Sequence, residues 1–354
     1  MKKWLASYFI TTALLVGCSA DEPQNTAVEQ QLPDTAQKIE IVAENLAAPW
    51  AISKIDDTFF ITERAGNIIK ITKDEMVTQR VELEKERSTA SEAGLLGFVL
   101  APDFAQSNEA YAYYTYENEG EQFNRIVVLQ LDGDVWKETT LLLDEIPSGT
   151  YHHGGRLQIG PDDKLYATTG DASNRDIAQD VNSLGGKILR LNFDGSIPAD
   201  NPFDNSYVYS YGHRNPQGIT WAPDGTMYAS EHGTSANDEI NRIEAGQNYG
   251  WPIIEGNATQ DGLVSPLFTS GSDTTWAPSG MGYYHDSLYV AALRGTALLQ
   301  FNLATNETRE VVTDLGRIRD VLIEGATLYF ISNNSDGRGN PLENDDKLYR
   351  IELK

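Results

Sequence analysis

The chain predicts an all-β protein, a six-bladed β-propeller with its active site at one end of the central channel. Three observations carry that expectation. From Ile39 onward, short β-branched and aromatic runs are broken by Gly, Asp, Asn and Pro, with little helical periodicity. One pattern then recurs: a turn built on Asp, Asn or Gly, a short strand with an aromatic anchor, and a polar loop. It appears as Asp57-Thr58-Phe59-Phe60, Asn108-Glu109-Ala110-Tyr111, Asp163-Lys164-Leu165-Tyr166, Asp224-Gly225-Thr226-Met227-Tyr228, Asp286-Ser287-Leu288-Tyr289 and Gly325-Ala326-Thr327-Leu328-Tyr329. The anchors lie 51, 55, 62, 61 and 40 residues apart, which is blade-sized repetition with insertions. Third, the loops after these strands hold the polar chemistry: Glu63-Arg64, Glu117-Asn118, Gly170-Asp171, Glu231-His232-Gly233, Leu293-Arg294-Gly295 and Ser332-Asn333-Asn334. Equivalent loops of a propeller converge on one axial pocket, so residues far apart in sequence become neighbours. A chance run of hairpins in a β-sandwich is the alternative, and the regular spacing disfavours it.

Taken in order, residues 1–17 stand apart from the rest. Lys2 and Lys3 make a basic start, and Leu5 to Val16 form an apolar stretch too short to span a bilayer. Leu15-Val16-Gly17-Cys18 resembles a bacterial lipobox, with cleavage before Cys18 and acylation of its sulfur; an ordinary secretory signal with an incidental cysteine is the alternative. Ser19 is unlike an inner-membrane retention signal, so the expected location is the periplasmic side of the envelope, lipid-anchored at the outer membrane. Cys18 is the single cysteine, so the chain has no internal disulfide. Residues 18–37 read as the acylated cysteine and a flexible acidic tether, and 38–354 as the propeller domain. With 40% apolar residues the chain can build a packed core. A net charge of −25 excludes nucleic acid as a partner and leaves membrane attachment to the lipid alone.

The central stretch is Tyr151-His152-His153-Gly154-Gly155-Arg156-Leu157, running on to Thr169-Gly170-Asp171. It reads as strand, tight turn, strand, with a histidine at one mouth and an aspartate at the other. A carboxylate-oriented imidazole is a general base near neutral pH; a hairpin with two surface histidines is the plain alternative. His153 reads as a pocket wall, His213 as packing beside Arg214, and His285 as an exposed turn residue. Arg317 and Arg319 alternate onto one strand face, whereas Arg309 and Arg338 read as surface ion pairs.

Several longer motifs follow one another: Gly94-Leu95-Leu96-Gly97-Phe98 with Pro102-Asp103-Phe104, His152 to Leu157, and Gly185-Gly186-Lys187-Ile188-Leu189-Arg190-Leu191 with Asp200-Asn201-Pro202-Phe203. Then come Gly212-His213-Arg214-Asn215-Pro216-Gln217-Gly218, Asp238-Glu239-Ile240-Asn241, Asn248-Tyr249-Gly250-Trp251-Pro252 and Arg317-Ile318-Arg319-Asp320. The ordered set, from about Leu46 to Leu353, resembles the soluble PQQ-dependent sugar dehydrogenases (the glucose/sorbosone dehydrogenase family), its aldose sugar dehydrogenase branch in particular.

The resemblance implies that PQQ oxidises the C1 hydroxyl of an aldose to the lactone, with His152 as base and Asp171 orienting it. Electrons would leave to a periplasmic acceptor, a quinone or a cytochrome. It places Arg214 and Asn215 at the quinone edge and Arg294, Arg317 and Arg319 on the cofactor's carboxylates. It also implies calcium, held by Glu239 with the carbonyl of Tyr249, and by the carbonyls of Gly233 and Thr234 at the cofactor. The chemistry agrees: PQQ is a planar quinone with three carboxylates, which guanidinium groups pair and stack on, and calcium takes oxygen ligands. Two departures stand out. His232 replaces a Gln of the glucose branch and fits the aldose branch. Glu92 stands where the family has Gln, and an extra carboxylate there should oppose the cofactor unless protonated or paired. On that reading Glu92→Gln tightens PQQ binding, and binding improves as pH falls. A non-catalytic propeller binding a sugar or protein ligand is a competing reading. A calcium-dependent lactonase is another, but it needs an axial ring of carboxylate and Asn ligands, and the axial set here is basic.

Overall fold

The computed structural model describes Met1 and residues 38–354; the remainder of the leader, Cys18 and the tether lie outside the described residues. Apart from turns and loops, the described chain is strand except for one helical turn, Phe104–Ser107, and a short 3-10 turn, Arg175–Ala178. Its strands form antiparallel four-stranded meanders, and each echo read from the sequence falls on the second strand of a meander. Those strands are Thr58–Glu63, Glu109–Asn118, Leu165–Thr169, Met227–Glu231, Ser287–Ala292 and Thr327–Ser332. Leu165–Thr169 and Ser287–Ala292 are buried along their whole length, whereas the outer strand Thr308–Val312 starts with three exposed residues. Strands covered on both faces lose the apolar-polar alternation, which is why they read as continuous runs of apolar, aromatic and small residues.

Two junctions were not legible in the sequence. The strand Glu40–Ala43 completes the sheet built by the last three strands, with Glu40 opposite Arg350 on Leu348–Glu352, so the two ends of the domain are paired. The first two meanders share an eight-stranded sheet through parallel pairing of Met76–Glu82 with Val135–Pro147. There the buried Trp136 donates its indole N–H to Gln79 Oε1 (2.9 Å) and packs against Phe60, Phe98 and Phe104. A buried indole needs such an acceptor, and Gln79 supplies it from the neighbouring strand.

Consecutive meanders are stitched where they meet. Thr62 Oγ1 donates to Leu96 O (2.8 Å), Tyr113 Oη to His153 O (2.8 Å), and Arg156 Nε to Gln217 O (2.9 Å). Ser230 Oγ donates to Ser279 O (2.6 Å), Arg317 Nη1 to Leu293 O (3.3 Å), and Ile52 N to Asp320 Oδ2 (2.8 Å), which returns to the first meander. Asp320 also pairs with Arg156 (2.9 Å), both side chains are buried, and the Arg156 guanidinium lies 4.2 Å over the Trp50 ring. One loop assignment is corrected. Glu117 and Asn118 are exposed hairpin residues paired with Gln122 and Glu121, because the turn falls later, at Glu119-Gly120 with both φ positive. The second meander instead reaches the site through the loop before its first strand, which carries Ser91 and Glu92.

Candidate active site

The loop carrying His152 lies directly against the end of strand Leu165–Thr169. Gly170 makes that approach feasible, since a Cβ there would sit 1.8 Å from His152 O, and Gly154 turns the chain with φ +62°. His152 itself adopts φ 68°, a left-handed conformation that costs energy in a non-glycine residue and must be held by its surroundings. The result is a 2.7 Å hydrogen bond between His152 Nδ1 and Asp171 Oδ1. The aspartate also accepts from Ser173 N (2.8 Å) and Trp251 Nε1 (2.9 Å). Burial alone would raise its carboxyl, but the His152 hydrogen bond, with those of Trp251 and Ser173, takes it below the usual range. With Nδ1 donating to an ionised Asp171, His152 presents Nε2 as the nitrogen that can act as a base.

Around this pair the loop of Asp171 is pinned by the buried Lys187, whose ammonium donates to Ile177 O (2.8 Å), Ala178 O (3.1 Å) and Gly185 O (2.6 Å). His153 is the wall expected of it: its Nδ1 meets Ser148 Oγ (2.7 Å), its Nε2 meets Ser91 O (3.2 Å), and burial lowers its pKa. His213 is fully buried, stacked on Tyr249 and bonded to Glu231 and Ser210, and Glu231 also takes the Arg214 amide. His285 is exposed in its turn.

Next to the His152 loop lies a narrow cleft lined among others by Trp50, Arg64, Glu92, His153, Gly154, His232, Arg319 and Arg338. Arg319 is buried, which lowers its guanidinium to about 9, and it holds Asn333 Oδ1 and Gln217 Oε1 (2.9 Å). Arg317 and Arg319 share the buried Asp336, at 2.9 and 3.8 Å, as their common strand face implied. Arg214 and Arg317 stand behind the lining, bonded to the carbonyls of the lining residues His232 and Leu293. Burial takes His232 down to about 4 despite Asp238 and Glu92, so its ring is neutral. Buried N–H or ring nitrogens of Arg64 (Nε), Arg156 (Nη2), Arg214 (Nε), Arg317 (Nε) and His232 (Nε2) have no hydrogen-bond partner. Of these, Arg64 and His232 line the cleft and Arg214 and Arg317 stand behind it; unpaired buried donors are costly, and a flat polycarboxylate supplies acceptors to those it reaches. PQQ fits this donor set.

The cation expectation rests on a different set. Glu239 is buried, accepts from Asn241 Nδ2 (3.1 Å) and Gly256 N (2.8 Å), and is raised to about 8 by burial and by the nearby Glu231. Asn241 Oδ1 beside it is a buried acceptor without a donor. A carboxyl disfavoured as an anion and an unpaired amide oxygen suit a hard cation. Among the described residues no three His, Cys, Asp or Glu side chains cluster to hold a metal, so calcium here would depend on carbonyls such as that of Tyr249. Gly233 and Thr234 occupy a tight loop folded by Asp238 and Glu255, which accept their amides.

Three expectations change. Glu92 is not an uncompensated charge: Arg338 Nη1 lies 2.6 Å from Oε1, and the His152 amide donates to Oε2 (3.1 Å). Burial would raise its carboxyl, but the Arg338 hydrogen bond and charge bring it down to about 2. Its charge is therefore constant as pH falls from 8 to 5, and PQQ binding should not improve over that range on its account. Glu92→Gln is expected to weaken PQQ binding several-fold by freeing Arg338 and loosening the His152 amide; tighter binding in a fluorescence titration would contradict this. Arg338 forms the surface ion pair read for it, with Glu92, and in addition lines the cleft and reaches Ser91 Oγ (3.1 Å) and the Tyr151 ring. Arg294 is exposed, and its neighbour Leu293 lines the cleft instead, because the strand ends at Ala292 and the turn points the next side chain outward. Asn215 is buried and uses Oδ1 to hold Gly154 N (3.0 Å), supporting the histidine loop. Arg64 and Trp251 are additions: both sat in stretches noted for other reasons.

The family model described as Glucose / Sorbosone dehydrogenase matches residues 46–349. Aldose sugar dehydrogenase YliI of Escherichia coli (strain K12) is 30% identical over 336 residues, 84% of this chain and 91% of that protein. Quinoprotein glucose dehydrogenase B of Acinetobacter calcoaceticus is 34% identical over 267 residues; the match spans 66% of this chain and only 56% of that protein's length. The PQQ-bound aldose sugar dehydrogenase of Streptomyces coelicolor superposes with a TM-score of 0.83 at 34% identity, covering 91% of this chain and 100% of that one. With the family model, the Escherichia coli relative and the Streptomyces structure agreeing along this length, the chain belongs to the glucose/sorbosone dehydrogenase family.

Proposed function

We propose that this protein is a PQQ-dependent aldose sugar dehydrogenase, built as a six-bladed β-propeller with the site at one end of its channel, which oxidises the C1 hydroxyl to the lactone. The observation that carries the activity is the His152–Asp171 hydrogen bond beside a cleft of unpaired guanidinium donors. The meander-to-meander hydrogen bonds, which return from Asp320 to Ile52, support the closed propeller. When bound, PQQ would accept the hydride from C1, with calcium as its Lewis acid. Arg64, Arg214, Arg317, Arg319 and Arg338 would hold its carboxylates and exclude water from the cleft. His152 Nε2 takes the C1 hydroxyl proton, and Asp171 stabilises the imidazolium that forms. Titrating the protein with PQQ and calcium, and scoring dye reduction over a panel of aldoses, tests this. Saturable PQQ binding with aldose-dependent turnover is expected; PQQ binding without turnover would leave a ligand-binding propeller.

We also propose that Cys18 carries a lipid anchor on the periplasmic side of the outer membrane, from which electrons pass to a periplasmic acceptor. The lipobox-like sequence supports it, and stable anchoring needs more than one acyl chain. Cys18→Ser should move the protein from the membrane fraction to the soluble fraction; an unchanged distribution would contradict the anchor.

A further inference from the structure

The oriented histidine has a third partner. The Asp171 carboxylate is buried, with a side chain only 2% exposed, and its two oxygens are used differently. Oδ1 serves His152 Nδ1 and Ser173 N, while Oδ2 accepts Trp251 Nε1 at 2.9 Å. Trp251 comes from a part of the chain 80 residues away and is itself fixed on every side. Its amide donates to Gly212 O (2.9 Å), and its carbonyl accepts from Gln179 Nε2 (2.6 Å). Gln179 and Asn248 lock each other by two side-chain hydrogen bonds, at 3.0 and 2.8 Å. The guanidinium groups of Arg175 and Arg214 lie over the indole, 4.9 and 5.4 Å from its centroid. The Arg214 carbonyl in turn accepts the Asp171 amide (2.8 Å). One side chain therefore touches both the carboxylate behind the base and the arginine beside the cleft.

We infer that Trp251 is a positioning residue for the dehydrogenase reaction: its indole N–H fixes the Asp171 carboxylate toward His152 Nδ1 and limits how strongly that carboxylate holds a proton on the imidazole. The inference rests on the proposed role of His152 as base. The physical reason is competition for charge. A donor on Oδ2 withdraws electron density from the carboxylate, so the imidazolium is stabilised less with the indole N–H in place than without it. Without the indole N–H, Oδ2 becomes a buried acceptor with no donor, and the carboxylate is held only through Oδ1, by His152 Nδ1 and the Ser173 amide. The other charged and titratable groups about His152 are Glu92 at its amide, His153 beside it in the chain, and Arg214 behind Asp171. Glu92 and Asp171 are held as anions below the usual range and burial lowers His153, but the buried Lys187, brought down to about 7, and Glu239, at about 8, also titrate near neutrality, so the limb is read as a difference between Trp251→Phe and wild type.

The test uses the full chain loaded with PQQ and calcium, and compares Trp251→Phe with Trp251→Leu. Phe keeps an aromatic ring under the two arginines while removing the N–H and part of the indole's volume; Leu removes the aromatic ring as well. For Trp251→Phe we expect kcat to fall about tenfold or more, as for loss of a hydrogen bond to a charged group, with KM nearly unchanged. The acid limb of the pH profile should move to higher pH, while the unfolding midpoint changes little. Wild-type kcat and limb in Trp251→Phe, with loss only in Trp251→Leu, would make Trp251 a packing residue and overturn the inference. A measurement on the unloaded wild type covers the case in which neither variant folds. The indole 15N–H resonance of Trp251 should shift as His152 titrates and should lose that transition in His152→Gln; a flat resonance overturns the inference. His152→Gln in the same loaded preparations separates the two readings, since full turnover there would remove the base assignment itself, whatever Trp251 does.

Discussion

His152→Gln is expected to lower kcat for aldose oxidation by about 10² to 10⁴ while leaving PQQ affinity within a few-fold of wild type. The size of the loss is that of a general base. The imidazole has its Nε2 left free and its other nitrogen oriented by an aspartate, Asp171, at 2.7 Å. The affinity should hold because the donors suited to the cofactor sit on Arg64, Arg214, Arg317 and Arg319, none of which bonds to the His152 ring. His153→Gln is the control. Both of its ring nitrogens are already engaged, by Ser148 and Ser91, so its replacement should disturb KM more than kcat. Loss of turnover in His153→Gln with turnover kept in His152→Gln, measured by steady-state kinetics on PQQ-loaded protein, would reverse the two assignments.

Asp320→Ala is expected to destabilise the fold by about 3–5 kcal/mol, the cost of leaving a buried charge without its partner. Arg156 would lose its 2.9 Å ion pair at a place where both side chains are buried, and Ile52 N would lose its acceptor. Burial works against both charges, lowering Arg156 and raising Asp320, so neither tolerates isolation. Removing both charges, as Arg156→Met with Asp320→Leu, should cost less than Asp320→Ala alone, because no unpaired ion remains. Urea denaturation followed by tryptophan fluorescence checks this. A single variant within 1 kcal/mol of wild type would mean that water reaches the pair and the meanders are not sealed there.

The all-β class and the order of repeated strands were legible because the aromatic anchors Phe60, Tyr111, Tyr166, Tyr228, Tyr289 and Tyr329 sit on strands covered from both sides. The His152–Asp171 pair was legible because it is local: two strand ends joined by a short turn, 19 residues apart. What escaped is non-local. Arg338 meets Glu92 across 246 residues, and nothing near either residue signals the other. Without that partner Glu92 looked like a charge opposing an anionic ligand, whereas its carboxylate ties two loops to the base. Trp251 was visible as part of a motif, but its role depends on where an indole N–H ends, which strand periodicity does not encode. Arg294 is exposed just beyond a strand end, where the alternation that places side chains no longer applies, and Leu293 before it lines the cleft.

The most direct test of the account is a single-turnover experiment: protein loaded with PQQ and calcium is mixed without oxygen or dye with an aldose carrying either hydrogen or deuterium at C1, and the absorbance of the bound cofactor is followed. The account predicts cofactor reduction in one exponential phase, slower with deuterium, and slowed by about 10² or more in His152→Gln. A cofactor that binds in the cleft yet shows no spectral change with any aldose would contradict it.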